Sequence, residues 1–395
     1  MLITRRTLAQ GAAGLAATAL AAPAIRAVAA EPLVVVVEAE FGHPTSTSAQ
    51  AIALGIDVAI DELNAARPGK PPFVLRRSDN AGVAAMAVDN FADAARDPSV
   101  IAVFGGKFSP VQIELVRPAH ELGLLLLNPW GSADPITDHG RVPSWTFRLS
   151  LKDAWAAPAF VREARRRHAA TALGILAPST AWGRSNEAAL VAATTATDTR
   201  LVDSRWYSWG TRSLVDRYQE LRNAGAQAIV MVANEVEGAL LVREVAALPA
   251  AERLPILCHW GVTGGQFIRL AGDALSQVDF SVVQTFSFHG NPRPAAIALR
   301  EACSARLRPE AQGRIEAPVG VAHAYDLMHL LALAADRVGG PDRPAIRSAL
   351  ESLPPFAGAV RDYNPAFTPT RHDALGPENV FFARYTKDGD LMRTT

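Results

Sequence analysis

Apolar residues follow two alternating patterns along this chain. Near-continuous apolar runs at 33–37, 100–104, 124–127, 172–176, 228–232 and 254–258 predict strands buried on both faces. Between them, apolar residues recur at helical spacing. Ile52, Ile56, Ala59, Ile60 and Leu63 share one face of a helix over about 49–65. Val111, Leu115, Val116, His120 and Leu122 do the same after Ser109-Pro110, a start with Ser as N-cap and Pro at the first helical position. Strand, loop and helix alternate three times by residue 122 and resume from residue 172, after a helix near 153–167 opened by a capping-box-like Ser150…Asp153. Asn234 starts a further helix, and Thr263 with Gln266 forms another capping box. The pattern predicts doubly wound parallel sheets in two α/β domains. The last third, with helices near 293–307, 319–338 and 341–352 and an extended end at 380–385, finishes both domains rather than adding a third.

The length of 395 residues agrees with two cores. The first thirty residues differ from the rest. Arg5 and Arg6 precede an uncharged stretch rich in Ala, Gly and Leu, and Ala27-Val28-Ala29 supplies a small-x-small cleavage pattern. Residues 1–29 therefore read as a secretory signal, and Thr4-Arg5-Arg6-Thr7-Leu8 gives it a twin-arginine character. The whole chain has zero formal charge, and losing this leader leaves about −3. No basic footprint for nucleic acid remains. No later window is long and apolar enough to span a membrane, so the mature chain is expected to be a periplasmic protein not inserted in the bilayer. Cys258 and Cys303 are compatible with either a disulfide or two buried thiols.

In parallel α/β sheets, ligands sit outside the carboxyl ends of the strands. Those ends here carry Lys107, Phe108 and Ser109 after one strand and Trp130, Gly131 and Ser132 after the next. Farther along, Trp182, Asn234-Glu235 and His259-Trp260 occupy the equivalent loops. A helix start with a free hydroxyl suits an anion. Three tryptophans at loop tips favour apolar or stacking enclosure of a bulky ligand. Phe41 and His43 are weaker candidates.

The segments SAQAIALGIDVAIDELNAA, DNAGVAAMAVDNFADAARDPSVIAVFGG, LLLLNPWGSADPIT, WTFRLSLKDA, AWGRSNEAAL and AHAYDLMHLLALAADR carry a resemblance. Their order is similar to that of the periplasmic solute-binding proteins of branched-chain amino acid ABC importers, the type I periplasmic binding protein fold. The resemblance implies two Rossmann-like lobes with parallel central sheets and a three-segment hinge. The crossovers would fall near Arg148, Phe286 and Phe356. Lobe 1 would hold 30–148 plus 287–356, and lobe 2 would hold 149–286 plus 357–395. It also implies an amino acid or related small carboxylate captured between closing lobes, an ABC permease as partner, and no cofactor. Ser109 and Ser132 fall where the family binds the ligand carboxylate, although Phe108 stands where many members have a second Ser. Trp182-Gly183 matches an aromatic-glycine turn, and Glu235 is the counterpart of the acid that takes the ligand ammonium. Lys107 offers a partner for an acidic group. A sensor of the same fold, reporting to a signalling partner, is the alternative.

Enzyme and metal chemistry find little support. The chain lacks GxGxxG, a P-loop and a GxSxG elbow. His323, Asp326 and His329 recur every three residues on one helix, a spacing that drifts around the helix axis instead of converging on a metal.

Overall fold

The structure, a computed structural model, describes residues 31–307 and 314–394. The predicted leader at 1–29 lies outside the described residues. The chain begins with β1 (Leu33–Ala39), α1 (Ser48–Ala66), β2 (Phe73–Asp79), α2 (Ala84–Arg96), β3 (Val100–Gly105), α3 (Ser109–Glu121), β4 (Leu125–Asn128) and β5 (Thr146–Arg148). These strands form one parallel sheet in the order β2-β1-β3-β4-β5. The alternation then restarts with α4 (Asp153–His168), β6 (Ala172–Pro178), α5 (Ala181–Thr195), β7 (Arg200–Tyr207), α6 (Val215–Asn223), β8 (Ala228–Met231) and α7 (Glu235–Ala246). It continues through β9 (Ile256–Cys258), the short α8 (Phe267–Ala271) and β10 (Phe280–Gln284). Next come α9 (Pro294–Ser304), α10 (Pro318–Val338), α11 (Arg343–Leu350), β11 (Phe356–Ala357), β12 (Asp362–Tyr363), β13 (Phe381–Tyr385) and β14 (Leu391–Arg393). The second sheet runs β14-β13-β10-β9-β8-β6-β7, parallel except for the β13 and β14 edge. Two lobes of the same winding result, as the pattern predicts.

Both faces of the first sheet are covered, which explains its unbroken apolar strands. Val36, Val103, Leu124 and Leu126 pack with Phe91, Val111 and Leu115 of α2 and α3. Val35, Val37, Phe104, Leu125 and Leu127, on the opposite face, join the main core with Ile52 and Ile56 of α1. Each such fully buried side chain contributes about 1.5–3 kcal/mol. Helix α10 starts on Pro318 and ends at Gly339, whose φ of +79° allows its N–H to reach Ala335 O at 2.8 Å.

Two passages between the sheets run from Arg148 to Asp153 and from Gln284 to Pro294. The third differs from a crossing near Phe356. The β11–β12 hairpin stays against α10, because Asp326 accepts N–H bonds from Ala359 at 2.7 Å and Val360 at 2.9 Å and the Tyr363 hydroxyl at 2.8 Å. His372 O and Ala374 N–H then bond the Arg148 backbone at 2.8 Å each. The chain reaches the second sheet only at β13. No helix among the described residues is long and apolar enough to cross a membrane.

Candidate functional site

The carboxyl ends of β3 and β4 set the lobe 1 side. Helix α3 begins one position earlier than the Ser-Pro start predicts, with Phe108 at the N-cap position. Ser109 therefore does not cap its own helix. Its Oγ instead accepts the N–H groups of Ser132 at 3.1 Å and Ala133 at 3.2 Å, joining the two loops. Ser132 is bonded through every polar atom. Its carbonyl accepts from Asp153 N–H at 2.9 Å and from Arg148 Nη1 at 3.2 Å, and its Oγ accepts Trp182 Nε1–H at 3.1 Å. Gly131 is structural: its carbonyl accepts Asn128 Nδ2 at 2.6 Å. The Trp130 ring is buried against Gly320 of α10, where a Cβ would lie 2.5 Å from Cζ3. Its Nε1–H has no partner among the described residues.

Beneath this side, Glu40 accepts the Ser48 hydroxyl and, at 3.4 Å, the Lys107 N–H. The Lys107 side chain leaves lobe 1 altogether. It lies against Gly264 and ends 2.8 Å from Glu235 Oε2, with the two side chains 2% and 1% exposed. Thr47 N–H to Gly264 O at 2.7 Å and Ser46 Oγ to the same carbonyl at 3.2 Å tie the lobes nearby.

On the lobe 2 side, Asn234 precedes α7 but makes no side-chain cap bond, so the cap that the sequence predicts is absent. The other two predicted boxes fail as well. Thr263 Oγ1 donates to Trp260 O at 2.7 Å, and Ser150 Oγ to Trp130 O at 2.6 Å, each bracing a cleft loop. Trp260 is buried 5.9 Å from the Trp130 ring and 5.7 Å from His323. His259 sits behind the wall, with Nε2 3.1 Å from Asp153 Oδ1 and its ring edge-on to Trp182 at 5.0 Å.

Lys107, Phe108, Ser109, Trp130, Ser132, Trp182, Asn234 and Trp260 line one interlobe cavity of about 10 Å³, space for a single water. Glu235 joins them through Lys107. Gly131 and His259 support the walls without lining the cavity. Trp209, which sequence reasoning missed, also lines it; its ring lies 5.5 Å from Phe108, and His43 flanks Phe108 at 5.4 Å. Only its position next to a Gly in a turn after a strand hints at this. Phe41 faces a different, wide groove of about 1500 Å³ along α1. That groove is open and takes its lining from both lobes, with Thr263, Gly265 and Tyr385 as well as α1, and its Arg77 and Arg314 are paired with Asp57 and Glu316. The small cavity, which lies at the carboxyl ends of the strands and gathers buried polar groups, is the better candidate.

His323, Asp326 and His329 do not converge. The His323 Nδ1–H donates to Pro129 O and Nε2 accepts the Thr285 hydroxyl, both at 3.0 Å, while burial lowers its pKa to about 4 and keeps the ring neutral. His329 turns towards Glu62 at 3.4 Å. No metal-type cluster exists among the described residues. Cys258 and Cys303 are both free and buried.

The sequence profile of a family described as periplasmic binding protein matches residues 40–390. No curated protein sequence matches the chain. The fold is similar to that of a periplasmic binding protein type 1 from Bordetella pertussis Tohama I, with TM-score 0.80, 19% identity, and coverage of 92% of this chain and 100% of that one. It is also similar to a branched-chain amino acid transporter substrate binding protein from Streptococcus pneumoniae in complex with isoleucine (TM-score 0.76, 17% identity, 92% and 100% covered). A third similar structure is an ABC transporter solute binding protein from R. palustris in complex with benzoate (TM-score 0.75, 15% identity, 92% and 95% covered).

Proposed function

Because this chain belongs to the periplasmic binding protein family, whose members bind solutes rather than catalyse reactions, we propose that it is the extracytoplasmic receptor of an ABC importer. It captures an amino acid or related small carboxylate between its lobes and presents the closed form to a permease. The observation that carries this reading is the convergence of both lobes on one cavity through Lys107–Glu235 and Trp182–Ser132. A cavity of about 10 Å³ holds no such solute, so a ligand enters only when the lobes part, and they then close on it less fully than in the empty form. Arg148 supports the same reading: it is fully buried at the first passage and holds the carbonyls of Ser132 and Ala133, so the hinge and the binding loop share one side chain. Isoleucine and benzoate, the ligands of two similar structures, both carry a carboxylate.

A thermal-shift screen of the chain from residue 30 tests the proposal, using amino acids, aromatic carboxylates, amides and short diacids. Ligand at a hundred times its Kd stabilises by about 2.7 kcal/mol. A hit that Ser132→Trp abolishes supports the reading. Silence across the panel, with no small molecule released from the purified protein, overturns it.

A further inference from the structure

We infer that the cleft selects an aromatic carboxylate without an ammonium group, its anionic end held by the Trp130 indole N–H, the Ser109 hydroxyl and Lys107. The inference rests on the solute-binding reading and specifies its ligand.

The first observation concerns Glu235, the residue that the family resemblance offers to a ligand ammonium. Lys107 already fills that role from the opposite lobe, at 2.8 Å and with both side chains out of water. A ligand ammonium there would compete with Lys107 for a single buried carboxylate and gains nothing in charge.

The second observation is the sign of the unmet hydrogen-bonding capacity. Among the side chains lining the cavity, the buried polar atom left without a partner is a donor, Trp130 Nε1. Gly320 abuts the Cε3–Cζ3 edge of the indole, and Nε1 lies on the opposite edge. The Ser109 Oγ accepts two N–H groups, which leaves its own hydrogen to donate. Lys107 spends one of its three N–H groups on Glu235. Asn234, which also lines the cavity and makes no side-chain cap bond, offers an acceptor and a donor alike, but the other three groups await an acceptor, and a carboxylate supplies two acceptor oxygens. The remaining walls are the rings of Phe108, Trp182, Trp209 and Trp260, which favour a planar apolar body.

Isothermal titration of the mature protein with L-phenylalanine, and with benzoate and 3-phenylpropanoate, which lack its amino group, tests this; phenylpropanoate differs from phenylalanine by that group alone. Benzoate is expected to bind at least a hundredfold more tightly than phenylalanine. W130F keeps the ring and removes the N–H, so it is expected to weaken benzoate about tenfold or more, as for one hydrogen bond to a charged acceptor. Where W130F lowers folding yield, the parent protein decides: 3-phenylpropanoate is expected to bind at least tenfold more tightly than L-phenylalanine. Preference for phenylalanine over benzoate, an unchanged benzoate affinity in folded W130F, or phenylpropanoate binding no more tightly than phenylalanine overturns the inference alone. Binding of neither compound, in a protein that also gives no hit in the wider screen, overturns the solute-binding reading with it.

Discussion

Arg148 and Asp373 join across 225 positions of sequence: the guanidinium Nε lies 2.6 Å from Asp373 Oδ1, and the arginine side chain has no solvent exposure. The pair ties the end of β5, where the chain first leaves the first sheet, to the segment from which it last departs. Lys152 approaches the same carboxylate at 3.5 Å, and these cations hold the Asp373 pKa below the usual range against the effect of burial. D373A is expected to cost about 3–5 kcal/mol in urea unfolding, because it leaves a buried guanidinium uncompensated. The double variant R148M/D373L should recover part of that loss.

The closed arrangement depends on a bond that one conservative change removes. W182F deletes the Nε1–H that meets Ser132 Oγ at 3.1 Å and keeps a ring in place. A net hydrogen-bond contribution of about 1 kcal/mol corresponds to roughly a fivefold shift towards the open form. Energy transfer between labels on the two lobes should report a larger mean separation in W182F, with unfolding stability little changed.

Helix α10 sets the depth of the cleft wall through Gly320. A methyl group there meets the Trp130 ring, so G320A is expected to destabilise by about 1–3 kcal/mol and to push the ring towards the cavity. Melting temperature and ligand affinity should fall together in this variant.

Glu38 makes stability pH-dependent. Burial within β1 raises its pKa from 4.5 to about 7, against the lowering effect of hydrogen bonds from Ser78, Asn80 and Asn90. The folded protein therefore keeps a proton that the unfolded chain releases. Stability from this group is full below pH 4.5 and is lost as pH rises through 7. E38Q, neutral at every pH, is expected to gain in melting temperature relative to the parent between pH 5 and pH 8.

The fold was legible because its strands are covered on both faces and punctuated by Gly, Pro and Ser. A run such as Val100–Gly105 has few other uses. The cleft loops were legible for a topological reason, since strand ends in such sheets define the binding side. Details that depend on long-range partners were not. The crossover near Arg148 was legible through the resemblance, but its pairing was not, because Asp373 is far away in sequence. Lys107 was legible as a partner for an acidic group, but not that the acid would be Glu235 of the opposite lobe. Three hydroxyls placed as helix caps, Ser109, Ser150 and Thr263, turned instead to loop backbone, where the cleft loops needed bracing.

Trp209 reaches across the mouth of the cleft to Phe108 while remaining 39% exposed. Parting the lobes strips that indole of its neighbour and wets its other face. The protein thus carries its own optical gauge: a red shift in tryptophan emission marks opening and a blue shift marks capture. The rate of the gesture can be followed by rapid mixing without attaching any dye.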